Sequence, residues 1–397
     1  MARQSSPSNI HRRQALGIFG ATAGLLAASS WSPRLLAADS LASKRLVIRS
    51  ETPFNAEPEL PPLVKDWITP HRLFYVRNHG TLPKIEESAF KLSVTGLVNR
   101  PVELSLAEIQ ALGEAVTIPA TLTCAGNRRV EFKKIKAVGG VQWDAGAIGN
   151  ANWTGIRLAT LLAKCGVRPE AKHVWFEGLD SCKHENETTP FGASIPIARA
   201  LAADPAPAML AWKMNGEELT PEHGFPLRGL VPGYIGARSV KWLSKIVVSD
   251  RPSPNYFQSI AYKLIEKETD SAITQPIYDF VINSVICTPL LVSPTERMVE
   301  VAGYALPNGA ASKLAKVEVS ADGGRNWTMM KTLDEDFPGC WRRFAGEVRV
   351  PDKSDGLVVR ATDFQLVTQP QTMKWNLKGY LYNAWHGVPM AKSMGSG

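Results

Sequence analysis

A change of pattern near residue 270 constrains this chain more than any other feature. Beyond it, short runs rich in β-branched residues recur: Val299–Val301, Lys316–Ser320, Val348–Val350 and Leu357–Ala361. The turns between them are rich in Gly, Asp and Asn, as at residues 321–326. Closely spaced short strands with few helices predict a β-sandwich. Before the change the pattern is mixed. Residues 90–94 alternate like a strand ahead of a turn at Gly96. Ser105 with Glu108 forms a capping box opening a helix to about Leu112. Ile156–Cys165 reads as a helix stopped by Gly166, His173–Glu177 as a strand, Ile197–Ala202 as a short helix, and Val240–Val248 as a further apolar run. Pro53, Pro58, Pro61 and Pro62 forbid a long helix before Trp67. The chain of 397 residues is long enough for two domains. The expected partition is a mixed α+β domain over residues 39–265 and a sandwich over residues 275–397.

The first 38 residues read differently. They hold Arg3, Arg12, Arg13 and Arg34 and no acid. The Arg12-Arg13 pair precedes a mild apolar stretch, Ile18–Ala28, and Leu36-Ala-Ala38 offers small residues for cleavage. This predicts a twin-arginine export signal, with an ordinary secretory signal or a membrane anchor as the alternatives. The twin-arginine route exports folded proteins with cofactors already in place. It also places the mature chain in the periplasm, with no membrane span once the signal is removed. Without these residues the chain has 41 basic against 37 acidic side chains. That excess is too small for a nucleic-acid-binding face, but it allows a local basic pocket for a small anion.

The five cysteines form no C-x-x-C pair, which argues against a zinc or iron–sulfur site. Cys165, Cys287 and Cys340 read as small core residues, and Cys182, in a polar stretch, as a residue that could be exposed. Cys124 stands apart. In Thr121-Leu-Thr-Cys-Ala-Gly-Asn-Arg-Arg129 two arginines follow within five positions, and nearby cations favour the thiolate, a nucleophile or a soft metal ligand. The residues alone leave this function and a plain buried thiol equally open.

The Cys124 segment resembles the signature of the sulfite oxidase family of molybdenum enzymes, and other segments match that family in the same order. They are Tyr75-Val-Arg-Asn-His79, Trp143–Ile148, Phe176–Asp180, Phe191–Pro196, Met214–Gly216, His223–Arg228, Gly236–Trp242, Ala261-Tyr-Lys263 and Asn383-Ala-Trp-His386. The resemblance implies an α+β molybdopterin-binding domain followed by an immunoglobulin-like dimerisation domain, and hence a homodimer. It makes Cys124 the one protein ligand of a molybdenum–molybdopterin cofactor. Arg77, Arg129, Trp143 and Tyr262 become substrate-pocket residues, with Tyr262 also a proton relay. Tyr75, Asn78, His79, Asp180, His223, Arg228, Ser239, Val240 and Lys241 become contacts to the pterin and its phosphate.

The chain contains neither a His-Pro-Gly-Gly haem segment nor a Cys-x-x-Cys-His haem attachment. With the export signal, this makes it similar to bacterial periplasmic sulfite dehydrogenases. The implied activity is oxidation of sulfite to sulfate, with electrons passed singly to a c-type cytochrome. Animal members tend to carry Arg directly after the Trp-His pair, whereas this chain has Gly387, which implies one positive contact fewer around the substrate. The rival expectations are a nitrate-reductase-like enzyme, a periplasmic sulfoxide reductase and a secreted β-sandwich binding protein without metal.

Overall fold

The computed structural model describes residues 46–389, apart from residues 185, 186, 294 and 296. The expected export signal, residues 1–38, lies outside the described residues. No helix among the described residues is long and apolar enough to cross a membrane.

The N-terminal part is built on two five-stranded sheets. One runs in the order Gly192–Pro196, His173–Gly178, Leu243–Ser249, Leu92–Gly96, Val102–Leu104. Its middle pair, Leu243–Ser249 with Leu92–Gly96, is parallel, and the other neighbours are antiparallel. The other sheet is centred on the long strand Ile148–Arg157, which lies between Val116–Thr123 and Met209–Met214. Leu158, Leu161, Leu162 and Cys165 of the short helix Leu158–Cys165 are buried against the core that the first sheet shares.

Local chemistry sets most of these boundaries. Ser105 accepts from the Glu108 backbone N–H while the Glu108 carboxylate accepts from the Ser105 N–H, and the helix Leu106–Gln110 starts there. Gly166, at φ 71°, stops the helix Leu158–Cys165 in the left-handed conformation that glycine adopts cheaply. That helix begins two residues later than expected, because Ile156 and Arg157 remain paired with Leu210 and Met209 across the sheet. The run from Val240 becomes a strand only at Leu243. Trp242 takes φ 50° and breaks the extended chain, leaving Val240 to accept from the Gly229 N–H.

The C-terminal part is a sandwich of two four-stranded sheets. One orders Asn283–Ser293, Met298–Leu306, Arg342–Arg349 and Lys331–Thr332. The other orders Thr328–Met329, Leu314–Ser320, Gly356–Asp363 and His386–Pro389. Leu357, Val359 and Ala361 alternate inward from the second sheet and meet Val299, Val301, Phe344 and Val348 from the first. This period of two is what antiparallel strands with one covered face require.

The two parts are joined through buried polar contacts as well as apolar ones. Trp341 Nε1 donates to the Trp67 carbonyl and Trp67 Nε1 donates to the Trp341 carbonyl, each at 3.0 Å, while the Trp341 N–H donates to Thr121 Oγ1 at 2.8 Å. Trp341 is fully buried in the larger core. Trp341→Ala therefore removes a large side chain and one of the reciprocal bonds, and is expected to cost roughly 3–5 kcal/mol. Trp67→Phe, which removes mainly a hydrogen bond, is expected to cost about 1 kcal/mol. Urea unfolding midpoints of the two variants beside the parent check this ranking.

Candidate active site

Cys124 leaves the strand Val116–Thr123 at the start of a tight turn. The Asn127 N–H donates to the Cys124 carbonyl, and the Arg129 N–H to that of Gly126. The Gly126 N–H points at the Cys124 sulfur, 3.4 Å away. Cys124 packs beside Trp143, Ala147 and Leu122 and opens onto a cavity.

Five stretches of chain converge on that cavity. The extended segment after the turn His71–Leu73 supplies Tyr75, Arg77, Asn78 and His79. The end of His173–Gly178 supplies Asp180, and Pro221–His223 with the following strand supplies His223 and Arg228. Ser239, Val240 and Lys241 follow the turn Gly236–Arg238, and Tyr262 follows the π-turn Phe257–Ala261. Single π-turns of this kind gather at functional sites. All of these residues line the cavity together with Cys124.

Arg129 and Trp143, also expected in the substrate pocket, do not line it. Trp143 is fully buried, and its indole N–H has no protein partner. Arg129 donates to the carbonyls of Val141 (2.8 Å) and Gly379 (3.2 Å), and its guanidinium lies 5.2 Å from the centre of the Tyr380 ring. Tyr380 in turn stacks on Tyr262 at 5.1 Å. Arg129 thus stands one layer behind Tyr262. Tyr380 and the buried Asn55, whose Oδ1 accepts from the Asn78 N–H and from Arg77, carried no signal in the sequence that marked them.

The electrostatics of the cavity are unusual. Arg77, Arg228 and Lys241 face it together with Asp180 and Glu222, yet among the described residues none of these five charges forms an ion pair. Arg228 donates to the carbonyls of His223 and Ser239, and its Nε is buried without a partner. Lys241 donates to the Asn78 side chain and the Glu222 carbonyl and lies over the Trp242 ring. Burial lowers the Arg228 pKa to about 10. Burial, reinforced by the Arg228 charge, pushes Lys241 well below its ordinary value. Burial and then Lys241 and Arg228 bring His223 down to about 3. His79 falls well below its ordinary value through burial and then the charges of Arg77, Lys241 and Arg129, so it is neutral where its Nε2 meets the Tyr262 hydroxyl at 2.8 Å. Burial likewise raises the hydroxyls of Tyr75 and Tyr262. Asp180 rises by burial, although the Phe191 N–H and the Cys182 thiol both donate to it.

A site with uncompensated cations, an orphaned guanidinium N–H and one recessed acceptor carboxylate is suited to an anion that also carries N–H donors. A pterin phosphate has that chemistry. Among the described residues no three His, Cys, Asp or Glu side chains gather to hold a metal ion. A metal at Cys124 therefore needs ligands from outside the protein, which the dithiolene of the pterin provides.

Residues 79–257 match the family model described as the oxidoreductase molybdopterin-binding domain, and residues 274–393 match the Mo-co oxidoreductase dimerisation domain. The chain is 39% identical to sulfite oxidase of Gallus gallus over 86% of its own length and 77% of that protein. It is 36% identical to sulfite oxidase of Arabidopsis thaliana over 86% of its length and 93% of that protein. The chain belongs to the sulfite oxidase family. It is a molybdenum oxidoreductase that uses the molybdopterin cofactor. A nitrate reductase of Hordeum vulgare is also similar, at 38% identity over 85% of this chain, which spans 40% of that longer protein. In overall fold the chain follows the sulfane dehydrogenase SoxCD of Paracoccus pantotrophus, with a TM-score of 0.72 at 24% identity over 87% of this chain and 85% of that one. A metal-free binding protein does not fit this membership.

Two sequence-based expectations need correction. Cys182 is not exposed: it is fully buried, and its thiol donates to Asp180 Oδ2 at 3.3 Å. Gly387 does not sit at the substrate pocket of this sulfite oxidase relative. It lies in the sandwich strand His386–Pro389, opposite Val358. The C-terminal segment that reaches the Cys124 turn is residues 379–382: Gly379 accepts from Arg129, and the Leu381 N–H donates to the Ala125 carbonyl at 2.7 Å.

Arg128 points away from the cavity. It is buried and forks onto Glu131, with contacts of 2.6 Å and 3.1 Å, while Lys134 reaches Glu131 from outside at 2.8 Å. Burial alone would raise the Glu131 pKa, but the charge and hydrogen bonds of Arg128 outweigh it and hold the carboxyl at about 2. A carboxyl whose pKa is depressed by folding stabilises the fold above its unfolded value, near 4.5, and that contribution disappears as the pH falls toward 2. The contribution at neutral pH is roughly 3 kcal/mol. Acid unfolding of the parent should therefore steepen between about pH 4.5 and pH 2. Glu131→Gln should be less stable at pH 7 and should show a flatter profile in that window, as read by denaturant titration at several pH values.

Proposed function

We propose that this enzyme oxidises sulfite to sulfate in the periplasm and passes the electrons one at a time to a c-type cytochrome. The overall change is sulfite plus water to sulfate, two protons and two electrons. The observation that carries this reading is the placement of Cys124 at the same cavity as Arg77 and Tyr262, in a chain of the sulfite oxidase family. We assign Cys124 as the thiolate ligand of molybdenum. When bound, the cofactor supplies oxygen-atom transfer and takes up the electron pair.

The side chains of this protein supply the remainder. Arg77 presents a planar fork of donors suited to an oxyanion. Its charge faces the cavity without a carboxylate partner, so it is available to sulfite and to the developing sulfate. Tyr262, held neutral by burial and linked to His79, offers a hydroxyl that can donate to the substrate or pass on a proton. Arg129 acts from behind the aromatic pair Tyr262–Tyr380, where its positive charge adds to the field without touching the anion. Trp143 packs in the core cluster that also holds Cys124. Asp180 accepts from the donor edge of the pterin, while Arg228, Lys241 and His223 take the phosphate. Ser239 holds that wall by accepting from the Val231 N–H through its hydroxyl.

The similarity to a nitrate reductase gives the test two substrates. Purified enzyme should reduce ferricytochrome c in a sulfite-dependent way and consume no nitrate with a reduced dye. The reverse pattern would overturn the sulfite reading. Cys124→Ser replaces a soft thiolate by a hard, poorly ionised hydroxyl, and turnover per bound pterin is expected to fall by at least about a thousandfold, in line with loss of a metal ligand that acts only in the loaded site. Sulfite oxidation at the parent rate would refute the assignment of Cys124.

The periplasmic part of the proposal rests on Arg12 and Arg13. Changing both to Lys keeps the charge and removes the paired guanidinium groups. Folded, molybdenum-loaded enzyme should then stay in the cytoplasmic fraction. Cofactor-loaded enzyme in the periplasmic fraction of the double variant would show that export does not use this pair.

A further inference from the structure

We propose that Arg128 is a positioning residue for the Cys124 sulfur, and that Asn283 and Tyr304 of the sandwich hold it in place. The C-terminal domain would then form part of the frame of the metal site. The proposal rests on the reading of Cys124 as the molybdenum ligand.

Four of the five residues after Cys124 are tied to the C-terminal part of the chain. The Ala125 carbonyl accepts from the Leu381 N–H at 2.7 Å. Asn127 Nδ2 donates to the Tyr304 hydroxyl at 3.1 Å, and that hydroxyl donates to the Ala145 carbonyl at 2.8 Å. Arg128 Nη1 donates to Asn283 Oδ1 at 2.7 Å, and Asn283 Nδ2 donates to the Tyr382 carbonyl at 2.9 Å. Arg129 Nε donates to the Gly379 carbonyl. Asn127, Arg128, Asn283 and Tyr304 do not line the cavity that holds Arg77 and Tyr262; Asn127, Asn283 and Tyr304 line a second pocket that also meets Cys124.

Arg128 is the point where the turn is most constrained. Its φ of 64° is left-handed, which a side chain other than glycine adopts only at a cost. Such a conformation persists when its surroundings over-determine it. Here the fork on Glu131 fixes two guanidinium nitrogens and Asn283 fixes the third, with the Tyr382 ring 5.0 Å away. The left-handed residue reverses the chain two positions after Gly126, the residue whose N–H points at the Cys124 sulfur. If Arg128 relaxes, the Gly126 amide loses its aim, and the sulfur changes both its position and its donor strength. A single lysine amine cannot reproduce three separate contacts.

The test uses full-length, cofactor-loaded enzyme in the variants Asn283→Ala, Tyr304→Phe and Arg128→Lys, with Cys124→Ser in the same series. Asn283→Ala and Tyr304→Phe leave the Arg128–Glu131 pair intact, so the result does not hinge on a buried unpaired carboxylate. Three quantities are measured per bound molybdenum: the thiolate-to-metal charge-transfer absorption, the paramagnetic resonance signal of the one-electron-reduced enzyme, and kcat with KM. We expect both spectra to shift and kcat to fall about tenfold to a hundredfold, as small misplacements of reacting groups do, with KM for sulfite nearly unchanged. Parent spectra per molybdenum in the Asn283 and Tyr304 variants would overturn the proposal, including where activity falls only because less molybdenum is bound. If Cys124→Ser itself keeps the parent spectrum and turnover, the ligand assignment fails. If Cys124→Ser loses both while the other variants match the parent, the assignment stands and the positioning role is refuted.

Discussion

Positive charge enclosed without partners organises this molecule. Arg77, Arg228 and Lys241 line one cavity, and among the described residues none forms an ion pair there. Cations removed from water cost several kcal/mol each unless something compensates them. Backbone carbonyls compensate in part, as at His223 and Ser239 for Arg228 and at Glu222 for Lys241. The remainder is left for an anion. The neighbouring groups follow from this excess. His79 and His223 are held neutral by burial and by these cations, so neither adds to the charge around neutral pH. The wall of the site therefore presents the guanidinium groups of Arg77 and Arg228, the Lys241 amine and the carboxyls of Asp180 and Glu222 beside neutral imidazoles and hydroxyls.

The same arrangement divides the site by function. The orphaned Arg228 nitrogen, Lys241 and His223 lie on one set of loops, and Asp180 on another, which suits a long cofactor carrying a phosphate and a hydrogen-bonding ring system. Cys124, Arg77 and Tyr262 share that cavity. Behind Tyr262 the stack continues through Tyr380 to Arg129. A cation one aromatic layer removed still contributes to the potential, since little water intervenes to screen it.

Much of this was legible in the chain, for identifiable reasons. The Cys124 segment, the histidines and the basic residues occur as local motifs, and motifs survive without knowledge of tertiary contacts. The capping box at Ser105 and the Gly166 stop were legible because capping is decided within one helical turn. Tyr380 and Asn55 were not, because their positions depend on segments far away in sequence. Leu381 bonds to Ala125, and Asn55 to residues 77 and 78. The late start of the helix at Leu158 has the same origin, since pairing with Met209 and Leu210 overrides local propensity. Cys182 looked exposed because its sequence neighbours are polar, whereas its strand places the thiol inward against Asp180. Gly387 was misplaced for a related reason. Being near the family-like Asn383–His386 segment in sequence does not place it near the pocket, and the chain passes the Cys124 turn several residues earlier.

The contacts around the Cys124 turn alter how the two domains are best understood. A module that only paired copies of the chain would need no buried hydrogen bonds to the catalytic turn. Here Asn283 and Tyr304 of the sandwich, and residues 379–382 of the tail, satisfy polar groups of Ala125, Asn127, Arg128 and Arg129. These bonds are buried, so each is costly to break and none exchanges readily with water. They add to the bonds that the turn makes within the N-terminal part, where the Cys124 and Arg128 N–H groups donate to the Ala147 and Asp144 carbonyls and Asn127 Oδ1 accepts from the Ala147 N–H. A motion of the sandwich relative to the N-terminal sheets would therefore displace the sulfur-bearing turn itself. On the positioning role proposed for Arg128, folding of the two parts is a condition for a formed metal site, and the domain boundary near residue 270 separates two patterns of sequence rather than two independent functions.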